Sequence, residues 1–170
     1  MPTRTRGAGS LAALFLIAAS RAAFAFDVGG VGLGASEADV RGRYPSAYCK
    51  PLEWRSAVAE RRCDDAKISF HGVEARVTFF LRKDAVQGFN IRFAASNRAR
   101  VTDALKSRWG APASETRDLI QRKGQSDREV YKTAWAREGD QATLIWRPDH
   151  KRCWLMVSRG DFEERIYRVR

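Results

Sequence analysis

Residues 66–93, AKISFHGVEARVTFFLRKDAVQGFNIRF, decide the fold class of this chain. Three short runs rich in branched and aromatic side chains, AKISF, VEARVTFFL and VQGFNIRF, are separated by the turn chemistry of His71-Gly72 and of Arg82-Lys83-Asp84. Such runs read as consecutive antiparallel strands. Alternate strand residues point the same way, so Val77, Phe79 and Leu81 together with Phe89, Ile91 and Phe93 form one apolar face. Arg76, Thr78 and Phe80 then point to the other.

On the N-terminal side, Ser36 opens Ser36-Glu37-Ala38-Asp39, in which a hydroxyl and a carboxylate can cap a helix start. The spacing predicts a short helix reaching Tyr44, stopped by Pro45. Before it, the glycines of GGVGLG, Gly29 to Gly34, lack the lysine-serine/threonine ending and the βαβ context of a phosphate-binding loop, and are expected to form a flexible start to the mature chain. On the C-terminal side the same order of elements returns. Ser96 or Asn97 caps a helix, NRARVTDALKSRWG, whose Val101, Leu105 and Trp109 form an apolar face and whose stop is Gly110 with Pro112. YKTAWAR, QATLIWR and RCWLMVSR follow as strands, turning at Glu138-Gly139-Asp140 and Pro148-Asp149-His150. Residues 113–128, mostly polar and containing Gly124, are expected to be an exposed connection.

Sliding one half over the other by 65 positions sets VRGRYP on LKSRWG, KISF on KTAW, TFFLRKD on TLIWRPD and FNI on WLM. The match is one of hydrophobic pattern and element order, and suggests repeat units at 33–93 and 97–158. The expected fold is α+β: an antiparallel sheet with short helices packed on one face.

The chain is 170 residues long, and its first 25 read as a secretory leader. Arg4 and Arg6 give a positive start, Leu11 to Ala19 an apolar block, and Ala23-Phe24-Ala25 the small residues of a cleavage site. Arg21 interrupts the apolar run well before the ~20 residues that a membrane-spanning helix needs. A single α+β domain at 26–170, without a transmembrane segment, is therefore expected in the periplasm or the secreted fraction. Loss of Arg4, Arg6 and Arg21 lowers the formal charge from +11 to +8. That surplus favours anionic partners, and export excludes nucleic acid.

Cys49, Cys63 and Cys153 allow three pairings in an oxidising compartment. Cys49 with Cys63 is favoured, because the two flank PLEWRSAVAERR, which has no other evident means of holding itself to a core. Cys153, inside CWLMVS, reads as a small apolar residue.

At GVGLGASEADVRGRYP and VTDALKSRWGAP the chain resembles small exported modules typified by the SmpA/OmlA outer-membrane assembly lipoproteins and the β-lactamase-inhibitor proteins. Leu33, Gly34, Ser36, Val40, Tyr44 and Pro45 carry one occurrence, and Val101, Leu105, Trp109, Gly110 and Pro112 a degraded second. The resemblance implies a two-layer α+β binding module without a catalytic centre. The lipoprotein members carry an acylated cysteine directly after the leader, which this chain lacks.

Candidate chemistry is sparse. His71 and His150, the two histidines, both fall at expected turns and read as solvated turn residues rather than catalytic bases. The cysteines lack zinc spacing and no His-Glu-x-x-His grouping occurs, so neither a metal nor a cofactor is expected. The expectation is a non-enzymatic binding module engaging an envelope protein or an anionic envelope component. Its contacts are assigned to the sheet face of Arg76, Phe80, Ile145 and Arg147 and to the cysteine-closed loop of Trp54 and Arg55, since arginine and aromatic side chains side by side typify binding hot spots. The alternative is a secreted inhibitor that inserts the Trp54-Arg55 loop into an enzyme cleft.

Overall fold

The computed structural model describes residues 25–121, 124 and 126–167. The expected leader, apart from Ala25, lies outside the described residues. The chain starts with a small hairpin, β1 (Asp27–Val28) and β2 (Val31–Gly32), which turns at Gly29 and Gly30 with φ of 57° and 88°. This corrects the expectation of a flexible glycine-rich start. Phe26 and Val28 are each 1% exposed and belong to the core, and hydrogen bonds from Gly34 N–H to Val86 O and from Val86 N–H to Ala35 O fasten the segment to the sheet. The glycines serve the turn, while the apolar residues between them supply the anchoring.

Helix α1 (Glu37–Arg43) begins with the expected capping box: Asp39 N–H donates to Ser36 Oγ, and Ser36 N–H donates to the Asp39 carboxylate. The chain then forms β3 (Tyr48–Pro51), β4 (Arg61–Phe70), β5 (Val73–Arg82) and β6 (Ala85–Ala94). After a 3-10 turn come α2 (Arg98–Trp109), β7 (Ser114–Ile120), β8 (Arg128–Arg137), β9 (Asp140–Trp146), β10 (Arg152–Arg159) and α3 (Phe162–Arg165). All eight strands from β3 to β10 join one antiparallel sheet in the order β3-β4-β5-β6-β10-β9-β8-β7.

The β4–β5 and β8–β9 hairpins turn through two residues of positive φ each, His71-Gly72 and Glu138-Gly139. Left-handed conformations at both central positions match the twist of the flanking strands. These turns lie 67 positions apart, from 71 to 138, rather than 65. KISF and KTAW are therefore offset by two residues relative to their hairpins. A shift of two preserves the face on which each side chain lies.

Two sequence expectations need correction. Residues 114–120 are not a connection but the edge strand β7, paired along its length with β8. Its side chains are almost all exposed, so no apolar alternation betrays it, and the main-chain ladder is what places it. The helices, moreover, do not share one face. Val40 of α1 and Val101, Leu105 and Trp109 of α2 pack with Val77, Phe79, Leu81, Phe89, Ile91 and Phe93 in the main core, each at most 4% exposed. Helix α3 crosses the opposite face, where Phe162 and Ile166 gather with Phe80, Met156 and Ala59 in a second cluster. Among the described residues, no helix is long and apolar enough to cross a membrane.

Candidate functional site

The face turned away from α1 and α2 is built by alternation along β4 to β6 and β8 to β10, broken by register shifts between Asp65 and Ile68 and between Phe80 and Leu81, and the strand register sorts its side chains into rows. One row runs Arg76 on β5, Arg92 on β6, Trp154 on β10, Ile145 on β9 and Lys132 on β8. The next runs Asp64, Thr78, Asn90, Met156 and Thr143. A third, through Phe80, Gly88 and Ser158, lies where α3 crosses.

What seats α3 is the missing side chain of Gly88. The Phe162 ring lies so close that a Cβ at Gly88 would stand 2.5 Å from its Cε1. Phe80 flanks the same ring at a centroid distance of 5.8 Å. Beyond α3, Trp54 Nε1–H donates to Ile166 O at 2.8 Å, its ring stacks on Tyr167 at 5.7 Å, and the Arg62 guanidinium lies 5.9 Å from the Trp54 centroid. The β3–β4 loop and the C-terminal segment thus clasp each other over the face. At the base of that loop, Cys49 and Cys63 stand directly opposite on β3 and β4 and form a disulfide, the expected pairing.

Tyr167 stands between two adjoining cavities, of about 470 Å³ and about 570 Å³, both of which also reach Asn90 and Arg92. The first holds Trp154, Arg152, His150 and Met156, with Glu163 at its rim. The second holds Trp54, Arg62 and Arg76 together with two carboxylates, Asp64, which pairs with Arg62, and Asp65, which accepts from the Ser46 hydroxyl. Each lies in the size range that encloses one small ligand or a ring-sized piece of a larger one.

Charge in these cavities is unbalanced. Arg62 is paired with Asp64 at 2.9 Å. The side chains of Arg76, Arg92 and Arg152 have no hydrogen bond or ion pair among the described residues, and Arg76 stands directly opposite Arg92 across β5 and β6. Like charges in that position repel. Asn90, between the cavities, is 8% exposed and its Oδ1 has no hydrogen-bond partner among the described residues. Burial raises the pKa of Glu163, whose charge is disfavoured against the sheet floor.

The residues expected from sequence fare unequally. Arg76 is exposed and takes part in the groove. Phe80 reaches the expected face but is 3% exposed beneath Phe162, so it is a packing residue of the second cluster and not a contact surface. Ile145, 8% exposed, is floor rather than surface for the same lack of accessible area. Arg147 is held by two hydrogen bonds to Asp149, at 3.1 and 2.9 Å. Trp54 is engaged by the clasp, which leaves Arg55 as the exposed member of that pair. Arg92, Arg152 and Asn90 escape the sequence reading. Alternation in FNIRF does place Asn90 and Arg92 on the Arg76 face. What the sequence lacks is any sign that β6 pairs with β10, which brings Arg152 and Trp154 alongside.

Neither histidine resembles a positioned base. His71, at φ 50°, is half-buried against the ring of Phe70, and burial, followed by the nearby Arg108, lowers its pKa. It was expected to be solvated, but the turn packs it inward. His150 is exposed at the rim of the first cavity, 6.0 Å from Trp154. Glu37 lies near the sulfurs of Cys49 and Cys63, yet the disulfide consumes both thiolates and Glu37 is bound by Arg41 and Arg61, which leaves no ligand set for a metal. No known protein family, curated protein or solved structure matches the chain.

Proposed function

We propose that this chain is a non-enzymatic, exported binding module that captures an anionic component of the cell envelope on the sheet face turned away from α1 and α2, beside α3. The observation that carries this reading is the trio of arginines, Arg76, Arg92 and Arg152, held on adjacent strands around two cavities without an acidic partner. Mutual repulsion makes this arrangement costly when empty, and an anion bound between the guanidiniums reverses that sign. Export accounts for the leader-like first 25 residues and for the disulfide, which persists in an oxidising compartment.

The resemblance of both helix starts to exported binding modules points the same way. We further infer that 33–93 and 97–158 descend from one helix-plus-strands unit. Each contributes a helix followed by four strands, and the two join through their last strands, β6 and β10, so that the open face runs across the seam. An enzyme inhibitor working through the β3–β4 loop is a weaker reading, because Trp54 is turned onto Tyr167 and Ile166 rather than outward.

The test is retention of the mature chain on an anionic envelope polymer at rising salt. Wild type is expected to bind, and the triple variant R76A/R92A/R152A to lose binding while keeping its thermal transition. Equal retention of the two proteins would remove the basis of this proposal.

A further inference from the structure

We infer that the two cavities beside Tyr167 are consecutive subsites for an acidic glycan, each taking one sugar ring that carries a carboxylate or a phosphate. The inference rests on the anion-binding reading above and names the chemistry of the ligand.

Three features select a sugar over a bare anion. The first cavity offers an indole, Trp154, and the negative face of an aromatic ring attracts the weakly positive C–H groups of a pyranose, while the second is bordered by Tyr167 and by Trp54, whose ring is already stacked on Tyr167. A phosphate ion alone would leave the Trp154 indole unused. Asn90, shared between the cavities, has a buried Oδ1 lacking a donor, and ring hydroxyls supply donors at the scale of one per carbon. The cavities are also adjacent and share Asn90, Arg92 and Tyr167, an arrangement suited to neighbouring units of one strand. A flat bilayer surface cannot reach the floor of either.

The arginines set the charge pattern. Arg92 serves both cavities, Arg152 belongs to the first and Arg76 to the second. A guanidinium fork matches the two oxygens of a carboxylate or a phosphate, so the array suits a polymer with an anionic group on successive rings. Glu163 is the carboxylate in the lining of the first cavity, and desolvation raises its pKa above the ordinary value, so its charge is disfavoured there.

The probes are tri-galacturonic acid, its methyl ester, glucose 6-phosphate, inorganic phosphate and phosphatidylglycerol vesicles. Each is titrated into the mature chain by calorimetry, with the Trp154 indole N–H followed by NMR. Tri-galacturonic acid is expected to bind and to move the Trp154 signal, with the ester at least tenfold weaker. R152A and W154A should each weaken the trimer about tenfold or more, and W154F, which keeps a flat ring, should recover part of the loss. Glucose 6-phosphate binding with the same Trp154 shift would mark phosphate as the preferred anionic group on the ring. Equal affinity for the ester, or binding of phosphate or vesicles that W154A leaves unchanged, would overturn the glycan assignment and leave the anion-binding reading intact. Failure of every anion to bind would overturn both.

Discussion

Replacing Gly88 by alanine is the sharpest test of how the open face is closed at one end. Gly88 is in a strand, its φ is not in the left-handed region, and alanine there is favoured over glycine by about 0.5–1 kcal/mol on backbone grounds. The new methyl carbon, however, would stand 2.5, 2.7 and 2.9 Å from three atoms of the Phe162 ring, so the ring must leave. A buried phenylalanine contributes about 1.5–3 kcal/mol relative to an exposed one. Displacement therefore outweighs the backbone gain, and G88A is expected to destabilise by roughly 1–2 kcal/mol. In F162A the ring is absent and the methyl group meets open space. The double variant G88A/F162A should then be no less stable than F162A alone, giving a coupling of about 1–3 kcal/mol in a double-mutant cycle read by urea unfolding. Two costs that simply add would refute the seat. So would a G88A protein more stable than wild type with the Trp54–Tyr167 stack still in place.

Other consequences can be checked on the same protein. Reduction, or C49A/C63A, opens the loop closed between residues 49 and 63 and should cost about 3 kcal/mol of unfolding free energy, measured against denaturant. His71 has a folded pKa below its ordinary 6.5 because burial disfavours the imidazolium. Its contribution is thus complete above that pH and is lost as the pH falls through 6.5 toward the folded value. The Asn side chain tolerates φ of 50°, so H71N should flatten the unfolding midpoint between pH 7 and 5. Losses from Glu37 and Asp39, whose pKa values are lowered chiefly by hydrogen bonds from Arg61 and Ser36, come only at more acidic pH. Cys153 is buried with its thiol pKa pushed up to about 11, so iodoacetamide at pH 8 should label it in urea and leave it untouched in the native protein, as mass measurement will show. R76T should raise thermal stability slightly while weakening ligand binding, since it relieves the repulsion from Arg92.

The strands around residues 66–93, the helix stops at Pro45 and Gly110, and the core from Val77 to Trp109 are legible because local pattern and tertiary burial agree there. The disulfide was readable because Cys49 and Cys63 flank the PLEWRSAVAERR segment, but that segment also packs Leu52, Trp54, Val58 and Ala59 onto the second cluster, which the sequence reading did not anticipate. Strand β7 was hidden because its side chains are exposed and only its backbone is specified. Parity along VEARVTFFL put Arg76 and Phe80 on the same open face, as they are, but parity is silent about what lies above a face. The distinction between an exposed Arg76 and a buried Phe80 is made by Phe162, far later in the chain. The groove likewise depends on β6 meeting β10, a long-range pairing that no single stretch encodes.

The open face shows two opposite treatments within one sheet. Toward α3, the chain removes a side chain at Gly88, seats a phenylalanine in the gap and buries Phe80 and Met156 beneath it, as a structure under selection for stability would. Two rows away, it sets Arg76 against Arg92 and leaves both exposed, although a threonine or a glutamate at either place would fit the strand and remove the repulsion. Sheet edges are managed as well: β3 is short, ends in Pro51 and is tied by the disulfide, while β7 carries Glu115, Arg117 and Asp118 along its exposed length. Solubility alone therefore does not call for arginines in the middle of the sheet, where the surface is concave and already flanked by charge. The proposed ligand, entering the cavities, would repay the repulsion on binding, so stability and affinity should move in opposite directions when Arg76 or Arg92 is replaced.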